Sequence, residues 1–464
     1  MKRAMAWLLV LALLLTAAGC GGSAGGSDSI RVPAYPDEGG ILTFADTPPS
    51  TRQEDIEQYF DAGFNTYILT EDRVSLTDEE GVLTDAYKQA IAAASRYGNV
   101  LLRNQYNAAE YWQNTTGIAY NANGFTLTEV SVPKRSITDQ LNGLGKVVGY
   151  YQFDEPSLES LDRLAGLADW QNANAAGQLF YANLFPSYAD KKLIGGDYEA
   201  YLQKYVDVLL SRLSTPKGLS IDNYPLMSGT SGNMLRASYL SDLLTAAGVV
   251  KKYNDTPGIP SRITLGFCIQ NFSDNALRYP TSARDIDFQI NTCLAMGAKT
   301  LEFFLYRTVL NMVGMVENGV NDKLAAFDYV KEATGRLDRW DHVIAAFDWE
   351  GLYVVDGSEH NENATALQMV RSRTLESLAG VAAVSARTDT VIGQFSDKDG
   401  YRGYMVVNYT EPSAGRIDVV ELTFADTQRV VVWQEGEEQV YDLEDHRLTL
   451  DLTAGGGAFV VACR

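Results

Sequence analysis

The stretch 147-VVGYYQFDEPSLESLDRLAGLADWQNANAAGQLFYANLF-185 decides the fold. An apolar, aromatic run at 147–153 stops at Asp154-Glu155-Pro156, an amphipathic stretch covers 158–175, and a second β-rich run follows at 178–185. Parallel strands need a crossover, usually a helix, so strand, helix and strand in this order read as one unit of a parallel sheet. The same alternation extends to both sides. Upstream, strands are expected at 41–44, 65–70 and 100–103, with helices at 52–62 (Thr51 as cap), 85–97 and near 136–141. Downstream, strands are expected at 218–224, 263–271 and 300–306, with helices at 198–213, 234–253, 283–296 and 323–337. Eight βα units within 38–345 fit a TIM barrel in count and length. A doubly wound sheet would usually carry a G-x-G-x-x-G turn after a strand, and none is found.

From 346 to 464 the pattern changes. Short runs rich in valine and threonine occur at 391–395, 403–408, 419–424, 430–434, 439–443, 448–452 and 458–462. Turn clusters such as Asp397-Lys398-Asp399-Gly400 separate them, which is the signature of an antiparallel sandwich. The fold class is therefore α/β, a (β/α)8 TIM barrel followed by a C-terminal antiparallel β-sandwich. No ligand motif appears in the sandwich, so a packing role is expected, with carbohydrate binding as the alternative.

The N-terminus reads as an address. Lys2 and Arg3 precede an apolar segment at 7–15 that is too short to span a bilayer. The segment ends in Ala17-Ala18-Gly19-Cys20, which resembles a bacterial lipoprotein signal. That resemblance implies removal of residues 1–19, a lipid on Cys20, and a place on the extracellular side of the bacterial cell membrane. Residues 20–37, with their Gly/Ser run, would form a flexible tether.

Composition narrows the chemistry. The 464 residues carry 59 acidic and 38 basic side chains, a net −21, which disfavours nucleic acid as a partner. Cys20, Cys268, Cys293 and Cys463 form no C-x-x-C, so neither metal nor cofactor is expected. His342, His360 and His446 all fall in the last third. The barrel must work with carboxylates, tyrosines and amides.

TIM-barrel active sites gather at the C-terminal ends of the strands. Strand four ends in Asp154-Glu155-Pro156, two carboxylates whose burial would raise a carboxyl pKa toward that of a general acid. The plain alternative has Asp154 capping the next helix and Glu155 solvated in its first turn. Alternation on strand six puts Ser220, Asp222 and Tyr224 on one face, with Asp222 either in the site or in a structural network. Strand five offers Tyr181 and Asn183, strand seven Gln270, and strand eight Glu302 and Tyr306. Glu302 is equally readable as an interior structural carboxylate. The excursion at 106–133 adds Tyr106, Tyr111 and Trp112, and Tyr188 follows strand five. Carboxylates, amides and aromatic faces suit sugar rings, so an oligo- or polysaccharide substrate is expected.

With an Asp-Glu-Pro at strand four and a C-terminal β-domain, the chain resembles a TIM-barrel glycoside hydrolase of clan A. That clan places its acid/base Glu in an Asn-Glu-Pro-like motif there, which maps onto Glu155. Its nucleophile is a Glu ending strand seven, and here the matching position is Gln270. Asp222 is then the candidate second carboxylate. The adjacent Asp-Glu is also similar to the hexosaminidases of families 20 and 123. That resemblance implies Asp154 as orienter of a substrate acetamido group, Glu155 as acid, and Tyr224 as an acetamido contact. The competing expectation is a carbohydrate-binding surface lipoprotein with a degenerate barrel.

Overall fold

The structure, a computed structural model, describes residues 33–36, 39–48, 50–70, 78, 82–103, 140–141, 144–229, 232–317 and 322–464. Cys20, Trp112 and the 106–133 excursion lie outside the described residues. Val32–Arg464 forms one compact unit. No described helix is long and apolar enough to cross a membrane.

The first six strands are β1 (Leu42–Ala45), β2 (Thr66–Thr70), β3 (Asn99–Arg103), β4 (Val147–Asp154), β5 (Leu179–Leu184) and β6 (Lys217–Asp222). A hairpin of β7 (Leu226–Gly229) and β8 (Gly232–Leu235) follows, then β9 (Ile263–Gln270) and β10 (Thr300–Phe304). Without the hairpin these make one parallel eight-stranded sheet in the order β1-β10-β9-β6-β5-β4-β3-β2. Side chains seal the seam between β1 and β2. Asn65 Nδ2 donates to the Ile41 carbonyl at 2.7 Å, and Asn65 Oδ1 accepts from Thr43 N at 2.9 Å. Tyr59, fully buried, donates to the Ala45 and Thr66 carbonyls, 3.1 Å each. The interior is filled by Phe44, Ile68, Leu101, Tyr151 and Tyr181, so the barrel is a packed core.

The helices differ from expectation where small residues intervene. The stretch 158–175 breaks into Leu158–Leu164 and Leu167–Asn174 around Ala165-Gly166. The expected helix 234–253 begins at Tyr239, because Met234 and Leu235 pair in the hairpin with Met227 and Leu226. Arg52, not Thr51, occupies the first N-cap, without a side-chain cap bond.

After the barrel come β11 (Phe347–Val355), β12 (Val381–Ser385), β13 (Thr390–Asp397), β14 (Arg402–Asn408) and β15 (Ile417–Phe424). Then follow β16 (Arg429–Gln434), β17 (Glu437–Asp442), β18 (Arg447–Thr453) and β19 (Gly457–Ala462). A six-stranded sheet β11-β13-β14-β19-β16-β17 faces a three-stranded sheet β12-β15-β18 across a core that includes Ile392, Tyr404, Val420 and Leu450. The outer face of the larger sheet covers the helix Ala283–Ala295. At Gly393 an added Cβ would lie 2.2 Å from the Ala295 carbonyl oxygen, so only glycine permits that approach. Trp349 Nε1 donates to the same carbonyl at 2.9 Å, and Trp340 stacks on Phe459 at 5.9 Å. Arg278, 6% exposed, joins Asp285 at the start of this helix to Glu411 beyond β14.

Candidate active site

A cavity of about 590 Å³ opens at the C-terminal ends of the barrel strands. Its wall collects Asp46 after β1, Asp154 and Glu155 at β4, Asn183 on β5, Asp222 ending β6, Cys268 on β9 and Glu302 on β10. None of the three histidines is among its lining residues.

The turn after β4 sets the central pair. Asp154 is the last strand residue, and Glu155 follows at φ 52°, the left-handed region that a residue with a Cβ enters at a cost. Glu155 N donates to the Asn183 carbonyl at 2.9 Å, and the Pro156 carbonyl accepts from Tyr201 Oη at 2.6 Å. The turn takes Glu155 out of strand alternation, so two consecutive residues both line the cavity. Ser157, not Asp154, caps the following helix by accepting from Ser160 N.

Asp154 accepts from Arg103 Nη2 at 2.6 Å, from Tyr151 Oη at 3.3 Å and from Asn183 Nδ2 at 3.4 Å. Arg103 also pairs with Asp46 and lies 4.9 Å from the Tyr151 ring centre. One guanidinium thus ties β1, β3 and β4 together. Sequence reasoning did not single out Asp46 or Arg103. Their only signal is a strand-end position, since they are 57 residues apart.

Asp222 is 7% exposed, and its Oδ1 has no hydrogen-bond partner among the described residues. Asp222 and Glu155 line the same cavity, close enough to influence each other's titration. Burial pushes Glu155 up to about 7, and the charge of Asp154 adds to that, while its interaction with Asp222 opposes it. Burial also holds Asp222 well above the usual carboxylate range, with Glu155 and Asp154 contributing repulsion. Two such carboxyls in one cavity hold a proton to higher pH than free ones do, and they titrate as a pair. Next to them, Asn223 Nδ2 donates to Asp242 at 2.7 Å, which also accepts from Ser187 N and so fixes the loop after β5.

The other expected residues divide. Asn183 and Glu302 line the cavity, and burial pushes the Glu302 carboxyl up. Tyr181 lies in the interior floor and donates to Glu302 at 3.3 Å. Tyr224 lines the wall, edge-on to Phe272 at 5.0 Å. Gln270 is fully buried and is not among the lining residues. Its Nε2 faces the Leu226, Phe272 and Arg278 carbonyls, and its Oε1 accepts from Leu226 N at 2.8 Å. A carboxylate there would confront three carbonyl oxygens, so position 270 holds the hairpin loop in place. Tyr306 also leaves the site. Strand β10 stops at Phe304, alternation does not carry on, and the Tyr306 ring packs against Tyr59 at 5.1 Å and Phe327 at 6.4 Å. At the rim, half-exposed Tyr188 carries Arg236 on one ring face at 4.0 Å.

No family model and no curated protein matches the chain. Solved structures do. A GH42 β-galactosidase from G. stearothermophilus aligns at TM-score 0.55 and 10% identity over 92% of this chain and 99% of that one. Its catalytic mutant gives 0.53 and 11% over the same shares. A β-galactosidase from Rahnella sp. R3 gives 0.49 and 11%, covering 93% and 99%. At these identities the likeness is one of fold.

Proposed function

We propose that the chain is a glycoside hydrolase cleaving O-glycosidic bonds, with Glu155 as general acid/base and Asp222 as its carboxylate partner. The observation that carries this is that Glu155 and Asp222, both with carboxyls raised by burial, line one cavity at the C-terminal end of the barrel. A carboxyl still protonated near pH 7 can give its proton to the departing glycosidic oxygen as that bond breaks. The ionised partner then stabilises the oxocarbenium-like transition state or bonds to the anomeric carbon. In the second case water, deprotonated by Glu155, releases the sugar. Asp154 already accepts from Arg103, Tyr151 and Asn183, which favours Asp222 over an acetamido group as the second participant.

Retaining enzymes hold their carboxyls ~5–5.5 Å apart, inverting ones ~6.5–9.5 Å. The mutual influence of Glu155 and Asp222 favours the shorter, retaining separation. Proton NMR of the first product formed from a cleaved glycoside is therefore expected to show the substrate's anomeric configuration. Inversion would reject Asp222 as nucleophile. The active form carries one proton on the pair. Accordingly kcat/KM should be bell-shaped, falling on the alkaline side as the pair loses its last proton and in acid as it gains a second. A profile flat from pH 6 to 9 would remove Glu155 from the acid role.

We also propose attachment to the outer face of the bacterial membrane through lipid on Cys20, on the strength of Ala17-Ala18-Gly19-Cys20. Cys20→Ser is expected to lose labelling by a radioactive fatty acid and to leave the membrane fraction. Continued labelling would overturn the anchor.

A further inference from the structure

We infer that the cavity takes a short glycoside with an apolar aglycone, an aryl group above all, the sugar lying at the strand ends and the aglycone against a wall built by the loops beyond them. This rests on the glycosidase proposal and names its substrate class. Asp46, Asp154, Glu155, Asn183, Asp222 and Glu302 give the strand ends the groups that meet sugar hydroxyls. The same cavity is lined by Tyr224, Phe272, Ala276, Leu277, Phe304 and Met312, which come from the chain after β6, the chain after β9, and the end of β10 with the loop that follows it. At about 590 Å³ the cavity is of the size that encloses a drug-sized ligand, roughly 300–1,000 Å³.

The apolar wall is a single packed layer. Backbone pairing of Met227 with Leu277 and of Ser273 with Val313 zips the three loops together. Phe272, Leu277 and Leu305 are buried in the layer, and Tyr224, Met227, Phe304, Val309 and Met312 pack against them. Phe272 meets Tyr224 at 5.0 Å and Phe304 at 5.1 Å, edge to face in both cases. Tyr224, Phe304 and Met312 are only partly buried, so the surface they turn to the cavity is left for a ligand to cover.

The second observation is that the hydrogen-bonding groups of this layer are spent on the layer itself. The Phe272, Ala276, Leu277 and Phe304 carbonyls accept from Gln270 Nε2 at 3.4 Å, Ser228 N at 3.4 Å, Asp274 N at 3.3 Å and Asn271 N at 3.2 Å. Asp274 Oδ1 accepts from Ala276 N at 2.7 Å and Leu277 N at 2.8 Å. Arg236 lies on Tyr188, and its Nε donates to the Tyr224 carbonyl at 2.9 Å. A second sugar ring laid on this wall would strip water from its hydroxyls and find few partners in exchange. An aryl ring gives up no hydrogen bond there and gains from the area it removes from water. Met312, unbranched and on a loop, suits rings of differing outline. The wall therefore narrows the expected oligosaccharide to a sugar joined to something that is not a sugar.

The test is calorimetry on the unmutated full chain with thioglycosides, whose sulfur linkage resists hydrolysis. Methyl and phenyl thioglycosides of glucose, galactose, mannose and N-acetylglucosamine, in both anomers, are compared with sulfur-linked disaccharides carrying the same sugar at the non-reducing end. At least one phenyl thioglycoside is expected to bind about tenfold more tightly than both its methyl counterpart and the matching disaccharide, with a more negative heat-capacity change than either. Met312→Asn should lower the phenyl affinity about threefold, and by more than it lowers the methyl affinity. Equal phenyl and methyl affinities, disaccharides that bind as tightly as the phenyl compounds, or no binding by any thioglycoside would each overturn the inference. Turnover of 4-nitrophenyl glycosides by the same chain is read separately. Turnover with no phenyl preference rejects the apolar wall alone, and phenyl preference with no turnover of any glycoside rejects the hydrolase.

Discussion

Glu155→Gln is expected to lower kcat by about 10²–10⁴-fold on alkyl glycosides while the fold persists. Glutamine matches the shape of the protonated acid and can donate a hydrogen bond, but it cannot release a proton to the departing oxygen. The penalty should therefore depend on the leaving group. A 4-nitrophenolate departs with little protonation, so aryl glycosides should retain far more activity in the cleavage step than alkyl ones. The substitution also removes the carboxyl with which Asp222 titrates, and the alkaline limb of the profile should vanish with it. Steady-state kinetics on paired aryl and alkyl glycosides across pH 5–9 reads all three effects. Equal losses on both leaving groups would point to a binding role instead.

The largest loss of stability is expected from Arg103→Met. Asp46 is 3% exposed, and both it and Asp154 take their cationic partner from this single guanidinium. Removing one member of a buried ionic cluster leaves carboxylates that are neither hydrated nor paired, at a cost of 3–5 kcal/mol in fully buried cases. The Arg103 side chain is 25% exposed, which places the expectation at the low end, about 3 kcal/mol. Urea unfolding followed by tryptophan fluorescence measures it. A change below about 1 kcal/mol would mean that solvent already screens the cluster. Activity should fall as well, since Asp154, released from Arg103, is free to move against Glu155.

The barrel was legible because its strands are buried on both faces and read as short apolar runs bounded by Gly and Pro. The register of 147–153 and 263–271 came through within a residue or two. Strand ends were harder to read. Alternation carries a prediction only while the strand lasts, and β10 ends at Phe304, two residues before the tyrosine assigned to the mouth. Glu155 was found through its tripeptide, although its left-handed backbone is not visible in the letters. The hairpin was hidden because Met234 and Leu235 continue the apolar pattern of the helix behind them, and the turn signal of Gly229 and Gly232 was passed over. Arg103 and Asp46 stayed invisible for another reason: their pairing exists only once β1 and β3 are curled into a barrel. Gln270 shows the converse, a residue whose position invited a catalytic comparison and whose amide is spent on the backbone of a neighbouring loop.

The helix Ala283–Ala295 has one side against β9 and the other against the sheet that contains Gly393. That sheet therefore does for the seventh βα unit what solvent does for most outer barrel helices. A gene cut at residue 345 would not yield a smaller barrel with an accessory lobe removed. It would bare Trp340, Phe288 and the Ala295 carbonyl, and leave Arg278 with half its carboxylates. In structural terms the two halves are not independent modules. Separating them would leave the helix Ala283–Ala295 without the sheet that covers its outer side.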